Sequence, residues 1–528
     1  MNGRPSLWSP LRSPIFRSLL IADVVSDMGT FMQSVGAAWL MVSLGGGPTF
    51  VALTQTASTL PFFLLALPAG AIGDIVDRRK LILYTEAWML SIAVVLTITT
   101  IAGVMSPWLL LTLTFALSGG DAIETPTWRA VLPELVSKPD LPAASALNGI
   151  EFNFARAVGP ALAGALIAAA GVGAAFAANV VSFLGVIIVI ARWKRPSDTP
   201  HAPPETLSGA TVAALRYVRY SPSLGPVMLR AGVTMSTASA LLALLPSVAR
   251  GLSESPTVYG VLLGCFGTGA IVGALVIQPA CGQWSLETVV SGSVLVLGIM
   301  IMAAAASHSI TVLGIVLLIA GGAWIAFISL VSALVQSLAP DWARARILAV
   351  FLLMFQGGLA IGSAFWGALA ARAGIGTVFL IAGVSTTATA ALGLVARFPN
   401  VPIDLSVWNH WRMPAIRRDT APSLAEGPVL VTVEYQVPPH DAQRFLRAME
   451  QYGRVRRRDG AFRWGIFRDI ERADVFLEIF EVASWAEHLR QHDRFTRADA
   501  ALEEEIRHHA QNEPTIRHLI SANPERPT

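Results

Sequence analysis

The hydrophobic pattern of this chain is dominated by long apolar runs that short polar turns separate. Runs close to or above the roughly 20 residues that cross a bilayer occur twelve times before residue 400, which predicts twelve transmembrane helices. A longer polar connection at 195–222 divides them into two groups of six. The predicted spans lie at about 17–44, 49–73, 81–103, 107–129, 141–170, 173–193, 224–249, 256–279, 287–306, 309–338, 343–372 and 375–397.

The pattern changes after residue 426. The segment from Val429 to Val437 alternates like a strand, and the segment from Asp441 to Tyr452 has the spacing of an amphipathic helix. Two more strands are predicted at 461–470 and 474–482, a helix in two pieces at 484–512, and a last strand at 515–520. The order β-α-β-β-α-β predicts a ferredoxin-like sheet with its helices on one face.

Composition supports this division of the chain. Charged residues make up 14% of the whole, but about 9% of the first 400 residues and about 30% of the last 128. The expected fold is therefore an all-α polytopic membrane domain with an α+β appendage. The membrane domain is assigned to 1–398, with halves at about 15–194 and 223–398, an interfacial linker to 399–426, and a cytosolic domain to 427–528.

The basic residues indicate the orientation, because cytoplasmic loops of membrane proteins carry an excess of Lys and Arg. All three lysines fall in loops on one side, whereas the opposite side has little beyond Arg250 and Arg372. This predicts a multi-pass protein of the bacterial inner membrane with both termini in the cytoplasm. A net charge of +3 is too small to indicate nucleic acid. The cytoplasmic set is Lys80, Lys138, Lys194, Arg78, Arg79, Arg192, Arg195, Arg216, Arg219, Arg344 and Arg346.

The turn after the second run has the order Gly-x-x-Gly-Asp-x-x-x-Arg-Arg, formed by Gly70, Gly73, Asp74, Arg78 and Arg79. It resembles the signature loop between helices 2 and 3 of the major facilitator superfamily. The resemblance implies a secondary transporter in which this loop, with Asp74, latches the two halves together in the outward-facing state.

The fifth run carries Arg156, Gly159, Pro160 and Gly164. A proline here breaks a backbone hydrogen bond, and the glycines allow another helix to approach. The segment resembles the Gly-Pro-x-x-Gly-Gly motif of helix 5 in drug–proton antiporters, with Ala163 in place of one glycine. That resemblance implies export, while helix packing alone is the alternative reading.

Ionisable residues inside predicted spans are candidates for function. A buried carboxylate that takes up and releases a proton is the simplest way to couple transport to a proton gradient, and Asp27 and Glu151 are the first candidates. The alternative is an ion-pair lattice that acts as a gate. Its predicted members are Asp74, Asp121, Glu124, Arg129 and Arg156.

The predicted helices 4–5 and 10–11 resemble the enterobactin-exporter-like branch, also called transmembrane secretion effectors. The segments Asp121 to Pro126, Leu132 to Val136 and Gln356 to Ser363 carry this resemblance. It implies an exporter of siderophores or other amphiphilic metabolites. The tail resembles the antibiotic-biosynthesis-monooxygenase-like domains, which usually pair as dimers, and a dimerising or regulatory role is favoured over catalysis.

Three functions remain open from the sequence: a proton-driven exporter, which is preferred, a membrane-anchored oxidative enzyme, and an uptake permease. No cofactor is expected, because no Lys is followed by Ser or Thr as in a Walker loop. His488 and His492 are spaced as a metal pair would be, but a metal is not predicted. The expected partners are the lipid bilayer, a small-molecule substrate and protons.

Overall fold

The computed structural model describes residues 6–193, 207–340, 342–395, 398, 404–406, 408 and 422–522. The side chains of residues 66, 67, 70–75, 138, 207–211, 278, 280, 345 and 395 lie outside this description. The chain divides into two compact units. Unit 1 comprises the described residues up to 193 and those of 228–333 and 349–398, and unit 2 those of 207–227, 334–348 and 404–522.

Six long helices form the N-terminal half of unit 1, and serine or aspartate caps begin several of them. Ser13 caps the first helix by accepting from the Phe16 backbone N–H, and Asp77 caps the third by accepting from Lys80. Such caps satisfy backbone donors that the first helical turn leaves free. The helices are α1 (Pro14–Ser43), α2 (Gly47–Ile75), α3 (Arg78–Ile101), α4 (Pro107–Leu135), α5 (Leu141–Ala170) and α6 (Val172–Arg192).

A shorter helix and a second series of long helices follow. The two series share one detail, since Gly171 with φ +81° and Gly374 with φ +82° each join a fifth helix directly to a sixth. Positive φ is the conformation that glycine adopts without steric cost. The helices are α7 (Leu207–Tyr220), α8 (Leu224–Leu252), α9 (Pro256–Gln283), α10 (Leu286–Ala305), α11 (Ile310–Ser337), α12 (Arg344–Ala373), α13 (Ile375–Thr389) and α14 (Leu392–Val395).

Within the described residues, nine helical segments are long and apolar enough to cross a membrane. They are α3, α5, α6, α8, α9, α10, α11, most of α12, and the stretch Ile375–Leu394. The helices α1, α2 and α4 have 29 or 30 residues but are not among these nine. In unit 1, α1 packs on α5 and α6, α2 on α4, α5 on α9, and α10 on α13.

The two ends of this helix bundle have different compositions. We call one end the glycine end, because its turns contain Gly45, Gly47, Gly103, Gly171 and Gly374. We call the other the arginine end, because Arg78, Arg79 and Arg192 lie there.

The C-terminal part of unit 2 is a four-stranded antiparallel sheet with helices. Its strand order is β2-β3-β1-β4, and β1 pairs with both β3 and β4. The strands lie within a few residues of the predicted segments, and the second helical stretch is in two pieces. The elements are β1 (Val429–Gln436), α15 (Ala442–Asp459), β2 (Arg463–Arg468), β3 (Val475–Val482), α16 (Trp485–Arg494), α17 (Arg497–His509) and β4 (Thr515–Ile520).

The core of this sheet domain combines apolar residues with buried ion pairs, of which the one at Glu478 lies deepest. Glu478 is completely buried, and Arg456 donates to it from Nε over 3.1 Å. Trp464 donates to the same carboxylate over 3.0 Å and Tyr435 over 3.2 Å. A buried carboxylate is tolerated only with such partners, because burial removes its hydration.

Unit 2 also includes α7 and the turn between α11 and α12. Arg216 of α7 forms an ion pair of 2.8 Å with Glu487 of α16. The guanidinium of Arg458 lies 5.1 Å from the ring centre of Tyr217, and that ring contacts Trp342 edge-on at 5.7 Å. The sheet domain therefore holds both the helix that connects the two halves of the chain and the turn before α12.

Candidate transport cavity and acidic cluster

A cavity lies inside unit 1 among α1, α2, α5, α8 and α9. It has about 1000 Å³ of space, counting the part open to solvent. Arg156 is its single charged lining residue among those described, and no Asp or Glu lines it. Apolar walls with a few polar groups are typical of sites for small molecules. The polar lining groups are Ser34, Thr54, Gln55, Ser58, Arg156 and Tyr259.

The helices α5 and α9 meet beside this cavity with almost no side chain between them. A Cβ atom added to Gly260 would lie 2.5 Å from the carbonyl oxygen of Pro160, and one added to Gly164 would lie 3.1 Å from the Gly260 Cα. Farther along, a Cβ on Gly267 would lie 2.8 Å from the Ala157 Cα. Since backbone cannot move aside as a side chain can, these glycines are required for the contact.

A second contact between the two halves joins α2 to α12. Thr49 donates its hydroxyl to the carbonyl oxygen of Gly367 over 3.2 Å, and Thr56 donates to Ala360 over 2.9 Å. Both donors lie in the part of α2 nearest the glycine end. The two halves are therefore in direct contact on that side of the cavity.

Six acidic side chains form a cluster in the N-terminal half. Asp27 of α1 hydrogen-bonds to Glu151 of α5, and Glu86 of α3 hydrogen-bonds to Glu124 of α4. Thr85 also donates to Glu124 over 2.5 Å. Within the part of the chain that is described, none of the six forms an ion pair. The cluster is Asp23, Asp27, Glu86, Asp121, Glu124 and Glu151.

The two carboxyl pairs have a direct chemical meaning. A carboxylate only accepts hydrogen bonds, so two carboxyl groups can share one only if a proton lies between them. Each pair can therefore hold at least one proton, and two ionised carboxylates at this distance would repel each other.

The predicted latch is only partly described. The side chains of Gly70, Gly73 and Asp74 lie outside the described residues, but their backbone continues α2 as far as Ile75. The turn itself is thus much shorter than the motif. Arg78 donates to the carbonyl of Ala130 over 3.0 Å and to the carboxylate of Glu134 over 2.7 Å.

Arg79 binds a different helix. It donates to the carbonyl oxygens of Ile190 over 3.1 Å and Ala191 over 2.6 Å. A cation is favourable at the end of α6, where carbonyls lack helical partners. The described bonds of Arg78 and Arg79 therefore all lie within the N-terminal half, joining α3 to α4 and α6.

The structure brings the four predicted residues of α5 to two different neighbours. Arg156 lines the cavity, and Pro160 and Gly164 contact α9. Gly159 faces α1 instead, where an added Cβ would lie 2.9 Å from the Cβ of Phe31. The motif thus places α5 against both halves at once.

The alternative ion-pair lattice does not form in the described residues. Asp121 accepts a hydrogen bond from Thr125 on its own helix, over 3.1 Å, and Glu124 pairs with Glu86. No ion pair joins either acid to Arg129 or Arg156 within the described chain. Glu124 thus belongs to a carboxyl pair and Asp121 bonds within its own helix, so neither acid is part of a chain of alternating charges in the described residues.

Sequence reasoning missed an ion pair in the C-terminal half. Arg230 of α8, which is 1% exposed, donates to Glu287 of α10 over 2.8 Å and to Ser291 over 2.9 Å. The Phe398 backbone N–H donates to the second oxygen of Glu287, and the Phe398 ring lies under the guanidinium. Glu287 lies in the first turn of α10, and nothing in its local sequence indicates a buried partner. The only available signal was Arg230 itself, because an arginine inside a predicted span needs a partner.

In unit 2, the two histidines considered as a metal pair contact each other. The Nε2 atoms of His488 and His492 are 3.3 Å apart, and the ring of His518 lies 4.8 Å from that of His488. Burial lowers the pKa of His488 to about 3 and that of His492 to about 4. Among the described residues, no group of three or more His, Cys, Asp or Glu has the geometry of a metal site.

The chain is similar in sequence to several known transporters. It is 22% identical over 367 residues to the staphyloferrin A transporter of Staphylococcus aureus, and this match covers 68% of this chain and 90% of that protein. It is 25% identical over 424 residues to the enterobactin exporter EntS of Citrobacter koseri, covering 78% and 96%. It is 24% identical to the multidrug efflux pump Tap of Mycolicibacterium fortuitum, covering 72% and 94%.

Solved structures with the same fold are also transporters. A bacterial homologue of the human lysosomal transporter Spinster, in an inward-facing and unoccupied conformation, matches with a TM-score of 0.56 at 14% identity. This match covers 73% of this chain and 95% of that one. A POT family transporter in complex with 5-aminolevulinic acid matches with a TM-score of 0.59 at 12% identity, covering 72% and 95%.

A family profile spans nearly the whole chain. The profile described as transmembrane secretion effector matches residues 5–528, which includes the sheet domain. The protein is therefore a membrane transporter that belongs to the transmembrane secretion effector family of the major facilitator superfamily.

Proposed function

We propose that this protein exports small amphiphilic molecules, such as siderophores, drugs or other metabolites, across the cytoplasmic membrane by proton-coupled alternating access. The observation that carries the proposal is the cavity lined by Arg156, which we call the central cavity, together with two hydrogen-bonded carboxyl pairs in the same helix bundle. The relatives named as exporters of enterobactin and as a multidrug efflux pump support the direction.

The proposed architecture has twelve spans in two halves of six, with α7 on the cytoplasmic side between them. Both termini are cytoplasmic, so the arginine end faces the cytoplasm and the glycine end faces outward. This orientation follows from the distribution of Lys and Arg. The contacts of α5 with α9 and of α2 with α12 would then close the outer side of the cavity.

Asp27 and Glu151 are proposed as the coupling pair, with Glu124 and Asp121 nearby. Their two helices also carry Gly159 and the cavity residue Arg156, so a change of protonation would act on the helix that contacts both halves. When the pair loses its proton, the two negative charges repel, and α1 and α5 would separate. Asp74, with Gly70 and Gly73, is proposed to latch the cytoplasmic side in the opposite state.

The test begins with a ligand-stabilisation screen of the purified protein, followed by transport of the hits in everted membrane vesicles. A proton gradient across everted vesicles should drive accumulation of the substrate inside them. The Asp27→Asn variant should retain binding but lose gradient-driven accumulation at least tenfold, because an amide cannot carry the proton. Glu254→Gln, at a side chain that is 92% exposed, is the matched control and should transport normally.

The outcomes separate the alternatives. Accumulation in right-side-out vesicles would indicate uptake and contradict export. Full gradient-driven transport by Asp27→Asn would contradict the proposed coupling pair even if export is confirmed.

The sheet domain is proposed as a ferredoxin-like cytosolic regulatory domain at about 427–528. Its contacts with α7 and the turn before α12 support this role, because both segments adjoin spans that must move. Pairing of two copies is proposed through the sheet face away from the helices, where Phe467 and Leu519 are about half exposed. Crosslinking through a cysteine at Phe467 would test this, and a purely monomeric product would contradict it.

A further inference from the structure

We infer that the central cavity selects anionic substrates, and that Arg156 is the residue that recognises their negative charge. The inference rests on the proposed export function and specifies the substrate class of the same cavity. Its basis is a permanently charged group that lines the cavity and has no counter-ion among the residues that the structure describes.

Arg156 lies near the middle of α5 and faces the cavity. Among the described residues, its guanidinium forms no ion pair and no side-chain hydrogen bond. The contrast with the buried arginines is clear, because Arg230, Arg456, Arg458 and Arg494 each pair with a carboxylate at 3.1 Å or less. An arginine cannot lose its proton in a protein, so this charge persists in every state.

An unpaired charge in such an environment is costly, and charged side chains within membrane spans usually mark substrate paths. The missing partner does not come from the cavity wall, which contains no Asp or Glu among its described lining residues. The nearby acidic cluster does not supply it either, since none of its six carboxyl groups forms an ion pair in the described part of the chain. A bound anion would complete the site.

The other lining groups fit a carboxylate or a similar planar anion on an aromatic body. The guanidinium offers parallel N–H donors that match a carboxylate in a bidentate geometry. The amide of Gln55 and the hydroxyl of Tyr259 line the same cavity and have no side-chain hydrogen bond in the described residues. The rings of Phe31 and Phe266 supply apolar walls.

The experiment uses paired aromatic probes that differ only in charge: 2-naphthoate against 2-naphthamide, and indole-3-acetate against its amide. Binding to the full-length protein in nanodiscs is measured by thermal shift and by competition. We expect each carboxylate to bind about tenfold more tightly than its amide, as expected for hydrogen bonds to a charged group.

Three variants define the role of Arg156. Arg156→Gln should remove the preference for the carboxylate and leave amide binding within about twofold. Arg156→Lys should keep part of the preference, because the charge remains but the bidentate geometry is lost. Arg250→Gln is the matched control, since it removes a charge near the glycine end from a residue that does not line the cavity.

Gln55→Glu provides a second test if Arg156→Gln fails to fold. It places a carboxylate on the cavity wall as an internal partner for Arg156, so it should raise the thermal stability of the free protein and weaken the response to carboxylates. Equal binding of acid and amide by the wild-type protein, or no binding of either, would overturn the inference.

The result is distinguishable from failure of the proposed function. Export in everted vesicles without any charge preference would leave the exporter intact and refute the anion site. An Arg156-dependent charge preference without gradient-driven export would support the anion site and refute the exporter.

Discussion

At the scale of single residues, buried ionisable groups have two different kinds of partner. In the sheet domain, Arg458 lies between Asp459 at 2.8 Å and Asp499 at 2.6 Å, and Arg456 is held by Glu478. In the acidic cluster of unit 1, four of the six carboxyl groups form two carboxyl pairs. Opposite charges attract without a further partner, whereas a carboxyl pair needs a proton between its two groups.

The buried histidines make the sheet domain sensitive to acid. Burial is the main cause of the lowered pKa of His488, to about 3, and of His492, to about 4. An unfolded histidine has a pKa of about 6.5, so the unfolded state binds more protons between about pH 4 and 6.5. Stability should therefore fall as the pH decreases through this window.

One group opposes this trend. Burial raises the pKa of Asp459 to about 6, so the folded state binds the extra proton between about pH 4 and 6. Burial also lowers the pKa of His518, which contacts His488, so three histidines act against one aspartate and we expect net loss of stability. The protection factor of α16, which is its hydrogen exchange corrected for the intrinsic effect of pH on amide exchange, should therefore decrease from pH 7 to pH 5 in the full-length protein.

His488→Gln is the test variant, and His440→Gln, at a side chain that is 78% exposed, is its control. The first should flatten the pH dependence of the protection factor, and the second should leave it unchanged. A protection factor that is independent of pH in the wild-type protein would contradict the interpretation.

At the scale of elements, the contact between α5 and α9 depends on absent side chains. Gly164→Ala would place a Cβ about 3.1 Å from the backbone of Gly260, Pro256 and Thr257, none of which can yield without moving a helix. We expect the closed glycine end to be destabilised and the opposite state to gain population.

Accessibility of a cysteine placed at Ser34 to an impermeant maleimide would measure this shift, in a background with Cys265 and Cys281 replaced. Labelling from outside should increase severalfold in Gly164→Ala. Gly149→Ala on the same helix is the control, because an added Cβ there meets nothing within 4 Å. Equal labelling in both variants would show that the contact does not control closure.

At the scale of the whole molecule, unit 2 is more than a C-terminal tail. It contains α7, from the connection between the halves, and the turn at 334–348, and aromatic and charged contacts join all three parts. Removing residues 422–528 would take away the sheet-domain partners of Tyr217, Trp342 and Arg216, which are Arg458, Arg494 and Glu487 in that order. A simple deletion therefore tests more than the role of the sheet domain.

A point variant is the sharper test. Trp342→Ala removes the contacts with Tyr217 and with the guanidinium of Arg494, which lies 4.8 Å from its ring. We expect faster hydrogen exchange in α7 and an altered rate of export, with cavity binding unchanged. Trp284→Ala, at a side chain that is 61% exposed, is the control. Unchanged exchange and transport in Trp342→Ala would argue against a regulatory contact.

Local pattern was enough to predict the long helices and the strands of the sheet domain. Periodicity and run length depend only on neighbours in sequence, so Val429–Gln436 and the turns at Gly171 and Gly374 could be located from the sequence. The acidic residues could likewise be named, because an ionisable group in an apolar run is visible without a structure.

Pairing could not be predicted in the same way, because it depends on which helices become neighbours in space. The sequence identified Asp27, Glu151 and Arg156, but only the tertiary structure joined the first two and placed the third on a cavity wall with no ion-pair partner in the described part of the chain. It also joined Arg230 to Glu287 and brought α7 to the sheet domain, across separations of 57 and 271 residues. The local pattern of apolar residues, which is driven by their burial, determines where helices and strands form. The partner of each charged residue depends instead on how elements that are distant in the sequence pack together.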